Sequence, residues 1–215
     1  MATKKIVPRA DTEGQIGTSA KRWGQSHFHS KVVVSGDILT TNKRTIYVDA
    51  GSMVPTVTNG ATAGTQELAT NDIMLDYFAF DTSVSEKVQF KLVMPEMWDT
   101  GTVKARFYWK TSGTNTGTLH WYIQAVQHGD SGALDTAFGT AVTTAAQDAG
   151  NGTLNDLHMT APTGAITVAG TGSERDHLVI FQVYRNVATD TYGEDAHLLG
   201  VVIEYSESVT AHTAF

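Results

Sequence analysis

"GTVKARFYWKT", residues 101–111, decides the fold class. Val103, Ala105, Phe107 and Trp109 fall on one side of an extended chain, and Lys104, Arg106, Tyr108 and Lys110 on the other. A period of two is the mark of a strand with one face buried and one face in water. The same pattern runs outward in both directions. "EKVQFKLVMP" (86–95) sets Val88, Phe90, Leu92 and Met94 against Lys87, Gln89 and Lys91, and "GTLHWYIQAVQ" (117–127) points Leu119, Trp121, Ile123 and Ala125 inward.

Further strand candidates are "TIYVDAG" (45–51) and "NDIMLDYFAFD" (71–81), with weaker ones at "GTAVTTA" (139–145), "LNDLHMT" (154–160) and "GAITVAG" (164–170). Two runs near the end, "DHLVIFQVYRNV" (176–187) and "AHLLGVVIEYSES" (196–208), carry apolar residues on both faces. In the second, strict alternation pairs Leu198 with Val202, and Leu199 with Val201 and Ile203. Such strands are central in a sheet or lie at a subunit interface. Clusters of Gly, Asn, Asp and Ser at 99–102, 112–118 and 148–153 separate the runs as turns. One helical turn is expected at "SGALDTAFG" (131–139), where Ala133, Leu134, Ala137 and Phe138 group at helical spacing. About eight to ten strands with almost no helix predict an all-β fold, a two-sheet jelly-roll β-sandwich, over residues 46–215.

Residues 1–45 differ in character. They are polar, with isolated anchors at Ile6, Ile16, Trp23, Phe28, Val32 to Val34, Ile38 and Leu39. Such a segment cannot bury enough apolar surface by itself to offset its ordering entropy. The expectation is an extended N-terminal arm for attachment or trimerisation.

The chain has 215 residues, room for one such domain and an appendage. Charged residues make up 17%, so surface polarity must come from Thr, Ser, Asn, Gln and Gly. The net charge of −7 argues against nucleic acid as a partner. There are no cysteines, which excludes disulfides and thiolate zinc sites. The opening "MATKKIVPRADTEG" lacks the apolar stretch of a signal peptide, and no run reaches the roughly 20 apolar residues of a membrane helix. The expectation is synthesis in a cytoplasm, with no membrane insertion.

Catalytic patterns are thin. "GDSG" (129–132) matches four residues of a serine-protease nucleophile stretch, but reads more simply as a turn after a strand. The acidic pairs Glu174/Asp176 and Glu194/Asp195 read as loop charges, since nothing in the sequence sets them in one cleft. Asn151-Gly152-Thr153 reads as a turn. Tyr108, Tyr122 and Tyr184 could stack on sugars, or pack across strands or between subunits, the second being the simpler reading. No catalytic residue is assigned and no enzyme is expected.

His27 and His29, in "SHFHS" (26–30), project to the same side of an extended chain. One chain offers too few ligands for a stable site. Three chains about a threefold axis would offer six imidazoles, an octahedral set that suits Fe(II) or Ni(II) better than zinc. The other reading is a polar strand whose histidines face water or a partner. No cofactor is required by the fold.

"GQIGTSAKRWGQSHFHSKVVVSGDI" (14–38) resembles the recurring segment of tailed-bacteriophage fibre and appendage proteins. The matching positions are Gly14, Ile16, Gly17, Thr18, Arg22, Trp23, Gly36, Asp37 and Ile38. The resemblance implies a homotrimer whose arm is knitted by Ile16, Gly17, Arg22, Trp23, Phe28 and Ile38, with His27 and His29 placed to hold an axial metal. It implies a virion structural protein with other phage proteins as partners: a short fibre or knob of tail or head that attaches to the particle and touches a host glycan or receptor. The alternatives are a capsid decoration (cement) protein and, more remotely, a glycan depolymerase.

Overall fold

The computed structural model describes residues 42–170 and 174–208. Along the chain run the strands β1 (Lys43–Asp49), β2 (Val54–Pro55), β3 (Thr62–Leu68), β4 (Ile73–Phe80), β5 (Lys87–Val93), β6 (Lys104–Thr111) and β7 (Thr118–Leu119). They continue with β8 (Trp121–His128), β9 (Val142–Thr143), β10 (Asp148–Ala149), β11 (Leu157–Met159), β12 (Val168–Ala169), β13 (Leu178–Arg185) and β14 (Ala196–Ser206). A 3-10 turn, Ala50–Ser52, follows β1 and is capped by the Asp49 carboxylate, which accepts from the Gly51 amide at 2.8 Å.

Two six-stranded sheets form the sandwich. In the first the order is β11-β6-β14-β4-β3, with β1 also pairing β14. In the second it is β12-β8-β13-β5-β2, with β9 also pairing β8. Among the named strands pairing is antiparallel apart from β12 on β8. The fold is the expected two-sheet sandwich of jelly-roll type.

The strands that looked buried on both faces, β13 and β14, are the central strand of each sheet. The inward side chains follow the alternation. Val103, Ala105, Phe107 and Trp109 are buried, as are Val88, Phe90 and Met94, and Leu119, Trp121, Ile123 and Ala125. Aromatic contacts join the two layers: Trp121 meets Phe80 edge-on at 4.9 Å and lies along Phe107 at 5.7 Å between centroids. Within the second sheet Phe90 and Phe181 stack at 5.0 Å. Cores of this kind derive their stability chiefly from apolar area removed from water.

Four details depart from the sequence expectation. First, a bulge between Leu198 and Gly200 resets the parity of β14. Leu198, Val201 and Ile203 are buried while Leu199 and Val202 lie on the half-buried outer side, so strict alternation mispairs them.

Second, β3 ("TAGTQEL") carries almost no apolar signal. It is an edge strand held by its ladder to β4, not by a buried face. Third, residues 131–139 form no helix. Ser131 takes a left-handed φ of 58°, the Gly132 amide closes a turn onto the Gly129 carbonyl at 3.1 Å, and the Gly139 amide ties the segment to Ala125 on β8. Leu134, expected on an apolar helical face, is 69% exposed. Fourth, Lys110, on the solvent side of the alternation, is buried. Its ammonium donates to Asn155 Oδ1 at 3.0 Å and lies 5.3 Å from the centroid of the Tyr77 ring.

Candidate functional site

The outer face of the second sheet is built by register. β8, β13 and β5 lie side by side, and their inward residues seal the core, so the alternate residues must point away from it. One row reads Tyr122–Tyr184–Lys87 and the next Gln124–Gln182–Gln89. A third reads Val126–Ile180–Lys91.

The Tyr122 and Tyr184 rings stack at 5.2 Å with their planes 17° apart, which is the cross-strand packing that the sequence made the simpler reading. Both rings remain half-buried and are not sealed. Burial pushes the Tyr184 hydroxyl above the ordinary phenol range, with Tyr122 beside it adding to the effect. Gln124 Nε2 donates to Gln182 Oε1 at 2.8 Å, which fixes the two amides; Gln182 is buried, so the accessible amide atoms of the row are those of half-buried Gln124 and Gln89.

At the end of the tyrosine row sits a polar cluster. His120 meets Tyr122 edge-on at 6.2 Å and shares a hydrogen bond with Thr189 at 3.1 Å. Gln147 donates to the Thr189 carbonyl at 2.8 Å and accepts from Thr118 at 3.0 Å. Aromatic faces flanked by fixed amides and hydroxyls can stack on a ring and satisfy its hydroxyls.

The first sheet presents a different outer face. Tyr47, Met74, Leu157 and Met159 are each about half exposed or more. Tyr47, Met74 and Leu157, with Tyr108 and Leu199, line an open cleft of about 390 Å³. Tyr47 and Tyr108 meet edge-on at 5.9 Å. Beside them His197 stacks on Tyr77 at 4.1 Å, and burial, with Lys110 adding its charge, pushes the imidazole down to about 4.

The residues singled out for chemistry are dispersed. Gly129–Gly132 is a tight turn, as read. Asn151 closes an Asx turn by accepting from the Thr153 amide at 3.1 Å. Glu194 clamps a loop, its carboxylate accepting from the amides of Thr114 and Asn115 at 3.2 Å. Among the described residues no group of three or more His, Asp or Glu is placed to hold a metal ion. His27 and His29, and the arm positions Ile16, Gly17, Arg22, Trp23, Phe28 and Ile38, lie outside the described residues. So does the proposed arm as far as residue 41. No helix of the described residues is long and apolar enough to cross a membrane. The amide row was not singled out from the sequence, because Gln89, Gln124 and Gln182 meet only through the strand register.

No family model matches the chain, and no curated protein does. Solved structures do resemble it. An isomalto-dextranase from Arthrobacter globiformis T6, complexed with panose, is 16% identical over 74% of this chain and 23% of its own, with a TM-score of 0.43. A family 11 carbohydrate-binding module from Clostridium thermocellum is 10% identical over 82% of this chain and 96% of its own, with a TM-score of 0.32. The enzymatically active domain of tailspike protein 4 from bacteriophage CBA120 is 12% identical over 78% of this chain and 19% of its own, with a TM-score of 0.30. This chain thus spans less than a quarter of the two enzymes.

One expectation is corrected by these findings. The absence of a catalytic motif leads the sequence reading to expect no enzyme. Structures of a dextran-acting enzyme and of an enzymatically active tailspike domain are among those similar to the chain, so that inference does not hold. The physical reason is that carboxylate chemistry needs a spacing in three dimensions, which no short motif announces. At these identities and scores the likeness carries no assignment of activity or ligand to this chain.

Proposed function

We propose that the chain is a structural component of a bacteriophage virion, and that its β-sandwich is a knob that contacts an outside surface through the second sheet. The single observation that carries this reading is the outer face of that sheet, where Tyr122, Tyr184, Gln124 and Gln182 form a fixed aromatic and amide platform. The resemblance of residues 14–38 to phage appendage segments supports the setting. A trimer would turn weak single contacts into avid ones, since the second and third contacts become intramolecular. In such a trimer His27 and His29 of each chain would supply the axial metal ligands, the metal contributing cross-linking and no chemistry.

The test is adsorption. Purified chain added to host cells should compete with phage for attachment, and the Tyr184→Ala chain should compete less. Wild-type chain that leaves adsorption unchanged at any concentration contradicts the contact role.

A second reading, a cement protein that clamps shell subunits, is favoured by one observation. The exposed apolar residues Tyr47, Met74, Leu157 and Met159 on the first sheet suit contact with another protein surface. Capsids stripped of the chain that keep their heat resistance would contradict it.

A further inference from the structure

We infer that the outer face of the second sheet binds an anionic, carboxylate-bearing polysaccharide. This rests on the contact reading above and names its ligand. The chain holds 22 acidic residues and a net charge of −7, yet the six strands of the second sheet contain no Asp or Glu. The strands of the first sheet carry Asp49, Glu67, Asp76 and Glu204 interspersed with Lys43, Arg44, Lys104, Arg106 and Lys110, with Lys104 opposite Glu204 in register and Arg44 paired with Glu207. The cations of the second sheet are Lys87 and Lys91, both on the outer side of β5, and Arg185, which points inward and is held by Asp190.

Among the described residues neither Lys87 nor Lys91 makes a salt bridge. The nearest acids in sequence, Glu86, Asp130 and Asp176, sit on loops at the strand ends, and Glu86 is engaged with the Asp81 amide at 2.8 Å. A net charge of −7 repels a polyanion at long range, so binding needs a local site where cations stand clear of acids. The second sheet is where strand cations stand with no acid among them.

The platform explains why the polyanion is a sugar. Lys87 pairs in register with Tyr184, which stacks on Tyr122, and Gln89 pairs with Gln182, which is bonded to Gln124. Pyranose rings lie on the tyrosine pair, ring hydroxyls meet the half-buried amides of Gln124 and Gln89, and carboxylates at the edge meet Lys87 and Lys91. Charge-assisted hydrogen bonds of this kind are about twice as strong as neutral ones.

The experiment is calorimetric titration of the full chain with an oligogalacturonate and with the same oligomer fully methyl-esterified, which keeps the sugar and removes the charge. The acid form is expected to bind at least about tenfold more tightly, with the difference shrinking as salt rises. The Lys87→Gln, Lys91→Gln double variant should lose about that factor for the acid form and leave the ester unchanged. Tyr184→Ala should weaken both, while Tyr47→Ala on the other sheet should weaken neither. Thermal unfolding checks each fold, and the lysine variant carries the test if Tyr184→Ala unfolds. No binding of the acid form, or equal binding of acid and ester, overturns the inference. In either event the contact reading still stands or falls on adsorption alone.

Discussion

Arg185 and Asp190 form an ion pair sealed from water, Nε to Oδ2 at 2.6 Å, at the end of the second sheet. The same guanidinium donates to the carbonyls of Phe80 at 3.1 Å, Glu194 at 2.8 Å and Tyr192. It therefore ties the 186–195 loop to the end of β4 in the opposite sheet. A buried charge is tolerated only when it is paired and its donors are satisfied, and here both conditions hold.

Removing one partner strands the other. Asp190→Ala should destabilise the fold by about 3–5 kcal/mol, because Arg185 would remain buried without its counter-charge. Denaturant unfolding measures this. A loss below about 1 kcal/mol, the range of exposed pairs, would show that water reaches the site.

The core prediction concerns Phe181, stacked on Phe90 at the centre of the second sheet. Phe181→Ala should cost about 3–5 kcal/mol through lost burial and the cavity left behind. Phe181→Leu should cost less, and the same unfolding experiment ranks the two.

These two predictions rest on the part of the fold that was legible. Val183 and Arg185 share a parity that alternation gives directly, though not that the arginine finds Asp190. The parity of β14 beyond Leu198 was not legible, since a bulge depends on neighbouring strands. Strand β3 was missed because an edge strand with Gly64 and Thr65 buries little. The apolar spacing of Ala133 to Phe138 misled because Gly132 and Gly139 frame an irregular segment pinned to β8. The platform had its tyrosines in view, but not the amide row that only register assembles.

His197 gives a pH dependence with a definite sign. Its folded value, about 4, lies below the usual 6.5 because burial, with Lys110 adding its charge, disfavours the imidazolium. The folded state therefore binds fewer protons than the unfolded chain. The resulting stability is fully present above about pH 6.5 and is lost as pH falls towards 4. The His197→Gln chain should show a flatter stability profile across that window. Equal slopes in the two chains would contradict the assignment.

Gly64 is required by contact. An added Cβ would sit 2.5 Å from the Tyr77 ring, which is itself stacked on His197. Gly64→Ala should destabilise by about 1–3 kcal/mol and loosen the β3–β4 pairing, read as faster amide exchange in Thr62–Leu68. Unchanged exchange would mean that the ring moves aside freely.

The trimer has its own test. Light scattering of the intact chain should give the mass of three copies, and elemental analysis should find a transition metal that the His27→Ala, His29→Ala chain lacks. A concentration-independent monomer contradicts the trimer, and a metal-free trimer contradicts the axial site.

The most direct test of the central claim is to look for the chain on the particle. Virions purified through a density gradient should contain its peptides by mass spectrometry and take up gold-labelled antibody at discrete positions on tail or head. Particles free of the peptides and the label, from cells that make the protein in quantity, would contradict the account.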